Sequence, residues 1–134
     1  MKENRLTIED ISQVFTLPNG LRVICEQLPY LRTVSIGLWL HTGSMHELPR
    51  ENGLSHFMEH MVFKGTPTRT ARQINEAMDA VGGSMNAFTG KDATCFYAKV
   101  IDEDLTLAVD LLADLAVNAT LDPDELQKER GVIL

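Results

Sequence analysis

Cysteine is scarce in this chain. Cys25 and Cys95 are the only two in 134 residues, too few and too widely separated for a disulfide framework, and no C-x-x-C pair offers a thiolate metal site. The expectation is two unpaired strand thiols in a reducing compartment. Long apolar runs are missing too: nothing approaches the roughly 18 residues that read as a membrane-crossing helix. Residues 1–10 lack an apolar signal core and contain acids that an organelle-targeting presequence avoids. These features read as a cytoplasmic protein without a membrane partner. Positive charge is in deficit, with 12 Lys and Arg against 19 Asp and Glu and a net charge of −7, so nucleic acid and anionic lipid find no broad basic face. Internal repeats and low-complexity segments are absent as well.

What remains is an ordinary globular composition, 44% hydrophobic and 23% charged, in a length that suits one domain with a real core. Residues 14–17 and 21–26 flank Pro18-Asn19-Gly20, and Asn-Gly between extended segments signals a hairpin. Residues 33–41 alternate, with Val34, Ile36, Leu38 and Leu40 on one side and Ser35, Gly37, Trp39 and His41 on the other, as in a half-buried strand. A polar loop over 45–52 follows, with Asn52 placed to cap a helix.

Thr70-Ala71-Arg72-Gln73 has the form of a capping box. Ile74, Ala77, Met78 and Val81 follow at helical spacing until Gly82-Gly83 ends the helix. Residues 84–89 and 94–101 read as a strand pair around Gly90-Lys91-Asp92. A helix is expected from about Glu103 to Asn118, its apolar face carrying Leu105, Ala108, Leu112, Leu115 and Ala119. Another begins at Asp122, with Pro123 in its first position and acids in its first turn, and runs without a stop signal to Leu134. This order of elements predicts an α+β fold, an antiparallel or mixed sheet covered by helices on one face.

Between these elements lies His56-Phe57-Met58-Glu59-His60. On a helix, side chains at i, i+3 and i+4 share a face. Two neutral imidazoles on successive turns suit Zn²⁺, and a carboxylate one position before the second can reach a metal-bound water and take its proton. The plainer reading is the wet side of an amphipathic helix whose other side is Leu54, Phe57, Met58 and Met61, and geometry alone does not exclude it. Composition leans toward the metal and leaves both readings open. A solvated face usually carries Lys, Arg and Glu, whereas this one has two histidines at ligand spacing and no cation before Lys64. His41 and His46 have no partner at ligand spacing and read as solvated, and Trp39 reads as packing.

With its flanks, the run from Asn52 through the pentad to Met61-Val62-Phe63-Lys64-Gly65-Thr66 resembles the inverted-motif zinc peptidases, the group of pitrilysin, insulin-degrading enzyme and mitochondrial processing peptidase. Leu17-Pro18-Asn19-Gly20-Leu21-Arg22-Val23, Gly43-Ser44 with Glu47, residues 82–89 and Glu129-Arg130-Gly131-Val132-Ile133-Leu134 agree in order, so the resemblance covers residues 15–134. It implies the N-terminal part of a zinc metalloendopeptidase. His56 and His60 would bind Zn²⁺, Glu59 would be the general base for a zinc-bound water, and extended or unfolded polypeptides would be substrates. The family's third ligand, a glutamate, would fall two residues past Leu134. The expectation is therefore a single truncated domain, 1–134, inactive alone.

Glu129, two helical turns before that place, is expected to support the site from outside or to substitute as ligand, unless it is simply a solvated acid. Asn86 and Ala87 would offer a strand edge to the substrate, or be plain strand. The resemblance also implies a homologous second half or partner subunit, and the isolated chain is expected to self-associate or to fray at its C-terminus. A non-catalytic structural or scaffolding member, or an inert fragment, is the alternative.

Overall fold

The computed structural model describes residues 12–133. The readings made for residues 1–10 and for Leu134 lie outside them. The chain divides into two compact units, one ending at Arg32 and the other beginning at Thr33.

The first unit contains an antiparallel hairpin of β1, Ser12–Thr16, and β2, Arg22–Glu26, with Val14 opposite Ile24. Its turn is closed by Gly20 N–H donating to the Leu17 carbonyl at 2.9 Å and Leu17 N–H to that of Leu21 at 2.8 Å. Asn19 Oδ1 accepts from Leu21 N–H at 3.1 Å. Gly20 supplies the left-handed φ of 88° that the turn needs.

The second unit is a three-stranded antiparallel sheet in the order β3-β5-β4 with helices against one face. Its strands are β3, Thr33–Leu40; β4, Ser84–Thr89; and β5, Thr94–Ile101. Its helices, among the described residues, are α1, Leu54–Val62; α2, Ala71–Ala80; α3, Leu105–Asn118; and α4, Pro123–Ile133. The expected α+β class holds, and the sheets are wholly antiparallel. None of the described helices is long and apolar enough to cross a membrane.

β5 is central, and the alternation in its sequence decides the core. Phe96, Ala98 and Val100 are buried and pack with Met78 of α2 and Ala108, Leu111 and Leu112 of α3. Tyr97 and Lys99 point to the opposite face, as Ser35, Gly37 and Trp39 do in β3. On that face Trp39 meets Phe88 edge-on, their ring centroids 5.5 Å apart.

α2 carries the capping box expected of it. Gln73 N–H donates to Thr70 Oγ1 at 3.2 Å, and Thr70 N–H to Gln73 Oε1 at 2.8 Å. The helix ends as Gly82 turns to φ 62° and Gly83 N–H reaches the Met78 carbonyl at 3.0 Å.

α3 departs from the sequence expectation. Asp102–Asp104 form a 3₁₀ turn, so the α-helix starts at Leu105, which is more than a third exposed. Its buried stripe includes Leu111 and Asp114, which the expected face omitted. Leu111 joins the core against β5, and Asp114 is buried because the loop between α1 and α2 packs on α3 through hydrogen bonds. Asp114 Oδ2 accepts from Thr66 Oγ1 at 2.9 Å, Thr68 Oγ1 at 3.1 Å and Arg69 Nη1 at 2.8 Å, and Asp114 Oδ1 accepts from Asn118 Nδ2 at 2.9 Å. A buried carboxylate is tolerable only when its lone pairs are filled in this way.

Candidate metal centre

α1 is positioned from both ends. At its start the cap is Gly53, at φ 91°, and not Asn52 as the sequence suggested. The orphan N–H groups find an acceptor further upstream. Glu47 Oε2 accepts from Gly53 N–H and Glu47 Oε1 from Ser55 N–H, both at 2.7 Å. These bonds, that of the Ser55 backbone first, hold the Glu47 carboxyl below its ordinary range, and its charge lies where the helix dipole favours an anion.

The loop bearing Glu47 is fixed in turn on the hairpin between β4 and β5. Ser44 N–H donates to the Gly90 carbonyl at 3.2 Å and Met45 N–H to that of Lys91 at 2.9 Å. This approach needs Gly43, because a Cβ there would lie 2.5 Å from the Gly90 oxygen and 2.7 Å from that of Lys91. Backbone cannot swing aside as a side chain can. We therefore expect Gly43→Ala to destabilise the protein by about 1–3 kcal/mol. In hydrogen exchange the amides of Gly53 and Ser55 should lose protection ahead of β5, and unchanged protection at both would contradict this link.

Within α1, His56 and His60 turn toward each other, with Nε2 atoms 3.2 Å apart and ring centroids 4.7 Å apart at 83°. Zinc–nitrogen bonds of about 2.0–2.1 Å at the tetrahedral angle set two ligand nitrogens about 3.3–3.4 Å apart, so this pair fits one ion. Glu59 is half-buried, and Thr89 Oγ1, at the end of β4, donates to its Oε2. The opposite face of α1 is apolar: Met61 is fully buried and Phe57 and Met58 partly so, whereas Leu54 at the helix start is exposed.

Glu129 comes from α4, which packs on α1. It is buried, 6% exposed. Its Oε1 lies 2.8 Å from His60 Nδ1, the nitrogen facing away from His56, and its Oε2 lies 2.6 Å from Lys64 Nζ. Lys64 first and His60 second hold its carboxyl below the ordinary range. This is the burial of a partnered acid, and a solvated one would not sit here. Among the described residues no group of three or more His, Cys, Asp or Glu side chains converges to hold a metal ion.

Asn86 and Ala87 lie on β4, an edge strand of the sheet among the described residues, with Asn86 exposed and Ala87 packed against the core. Asn86 Oδ1 accepts from Ala87 N–H at 2.8 Å. His41 and His46, which spacing left unpaired, meet edge-on with ring centroids 5.2 Å apart. His46 Nδ1 accepts from Gly43 N–H at 3.2 Å. That bond fixes the Gly43 turn, and a pairing across five residues of loop has no helical spacing to announce it.

Sequence reasoning passed over Thr89, Lys64 and the capping role of Glu47. Each stands inside a stretch that carries the resemblance, which was the only signal available for them.

Residues 22–134 match the family model described as Insulinase (Peptidase family M16). The chain belongs to the insulinase family. Among its relatives, an uncharacterized zinc protease of Bacillus subtilis is 52% identical over 119 residues, covering 89% of this chain and 29% of that protein. A probable mitochondrial-processing peptidase subunit beta of Arabidopsis thaliana is 43% identical over 123 residues, 92% of this chain and 23% of that protein. In three dimensions the crystal structure of a protease from Helicobacter pylori matches with a TM-score of 0.86 at 29% identity, covering 90% of this chain and 29% of that one. This insulinase-family chain thus spans less than a third of the length of these relatives.

Proposed function

We propose that this chain is the metal-binding part of a zinc endopeptidase acting on extended polypeptides. The observation that carries the reading is the convergence of His56 and His60 through Nε2, with Glu59 on the same turn of α1. His56 and His60 would hold the zinc, leaving room for a third protein ligand of the kind catalytic zinc sites use. When bound, the metal would supply positive charge that acidifies water and polarises a peptide carbonyl.

The remaining work belongs to the chain's own groups. Glu59 takes a proton from the attacking water and passes it to the departing amine nitrogen. Thr89 holds Glu59 Oε2 and leaves Oε1 to move that proton. Glu129, bonded to His60 Nδ1, orients the imidazole so that its other nitrogen is bare toward His56. An extended peptide would add at the edge of β4 beside Asn86 and Ala87, its backbone supplying the hydrogen bonds.

Relatives support this reading, since several of them are called zinc proteases. The test is zinc affinity in the protein at its full natural length. His56→Ala should weaken binding by more than the roughly 10–100-fold lost with an outer partner. Retention of zinc by the His56→Ala, His60→Ala double variant would refute the site.

A further inference from the structure

Lys64 lies two residues past the end of α1, and its side chain is only 31% exposed. Its Nζ lies 2.6 Å from Glu129 Oε2, while the other oxygen of the same carboxylate lies 2.8 Å from His60 Nδ1. A carboxylate held by an ammonium has only acceptor oxygens to offer, so the nitrogen it meets on His60 has to be the donor. Nδ1 therefore carries the proton, and Nε2 presents its lone pair toward His56.

We infer that Lys64 is a positioning residue for the metal site: by holding the buried Glu129 in place against Nδ1, it sets the tautomer of His60. Nothing else among the described contacts of Glu129 could do this. Its two oxygens have one partner each, Lys64 and His60. Without the ammonium, the buried carboxylate would keep a single hydrogen bond and lose the charge that offsets its burial. It would then turn away from His60, which frees the imidazole to place its proton on Nε2, where it blocks a metal.

The experiment uses the protein at its full natural length and has two readings. The first, made without metal, is the nitrogen NMR signature of the His60 tautomer. Wild type should show the Nδ1–H form, and Lys64→Met should shift toward Nε2–H. The second is zinc affinity by competition with a chelator, expected to fall roughly 10–100-fold in Lys64→Met, with most of the loss returned by Lys64→Arg.

Only this second reading rests on the zinc proposal above. If wild type took up no zinc, that proposal would fail while the tautomer reading still decided the present one. An unchanged His60 tautomer in Lys64→Met would overturn the inference. Should that variant not fold, the Lys64→Met, Glu129→Gln double variant strands no buried charge. It should bind zinc as Glu129→Gln alone does, and a further loss would show that Lys64 acts by another route, which also overturns the inference.

Discussion

Glu59→Gln, in the protein at its full natural length, is expected to lower kcat by about 10²–10⁴-fold, the range that positioned proton transfer supplies, while zinc stoichiometry stays at the wild-type value. The amide has the shape of the carboxylate and still offers an oxygen to the Thr89 hydroxyl that now donates to Glu59. It cannot take a proton from water. The two histidines converge on each other through Nε2 without help from Glu59, so their pairing should survive the change. Peptidase turnover and metal content measured on one preparation would decide the matter. Loss of zinc together with activity would make Glu59 a ligand, and full activity in Glu59→Gln would remove it from the chemistry.

A second large effect is expected far from the histidines, at Asp114. Hydrogen bonds from Asn118 first, then Thr66, Arg69 and Thr68, lower its pKa from an ordinary 3.8 to about 2. In return, the bond to Asp114 is the chief cause that raises the pKa of Arg69. A carboxylate depressed by that amount contributes on the order of 2–3 kcal/mol at neutral pH, at about 1.4 kcal/mol per unit. Because the folded value is the lower one, this stability is present above the unfolded pKa near 3.8 and drains away as pH falls toward about 2.

Asp114→Asn should therefore cost about that much in urea denaturation near pH 7, and the gap from wild type should close between about pH 4 and 2. The lost protection in hydrogen exchange should centre on residues 65–70, since those are the groups the carboxylate holds. A gap that stayed constant down to pH 2 would mean that packing, and not charge, is what Asp114 supplies.

The two sites also show what a sequence can disclose. The spacing of His56, Glu59 and His60 fixes their shared face, because an α-helix turns by a constant angle and needs only local hydrogen bonds to do so. The same locality makes the Thr70–Gln73 capping box legible, and the two-residue period of β5 states which of its side chains enter the core. Asp114 was not legible. On a helical wheel it reads as polar surface, and it is buried only because a loop some 45 residues earlier brings Arg69 and two threonines to it.

Glu129 gave a related ambiguity. Its helical phase relative to the end of the chain is local information, but the choice between solvent, metal and a histidine is made by the packing of α4 on α1. That packing set Oε1 against Nδ1 of His60 and Oε2 against Lys64. The capping of α1 was decided in the same way: a carboxylate several residues upstream reaches the helix start because Gly43 lets its loop lie against the β4–β5 turn. The sequence by itself determined the shared face of His56, Glu59 and His60, the strand alternation and the helix signals, all of which repeat within a few residues. Which acids, hydroxyl and lysine meet that face was decided by contacts between elements far apart in the chain, whose pairing no local period encodes.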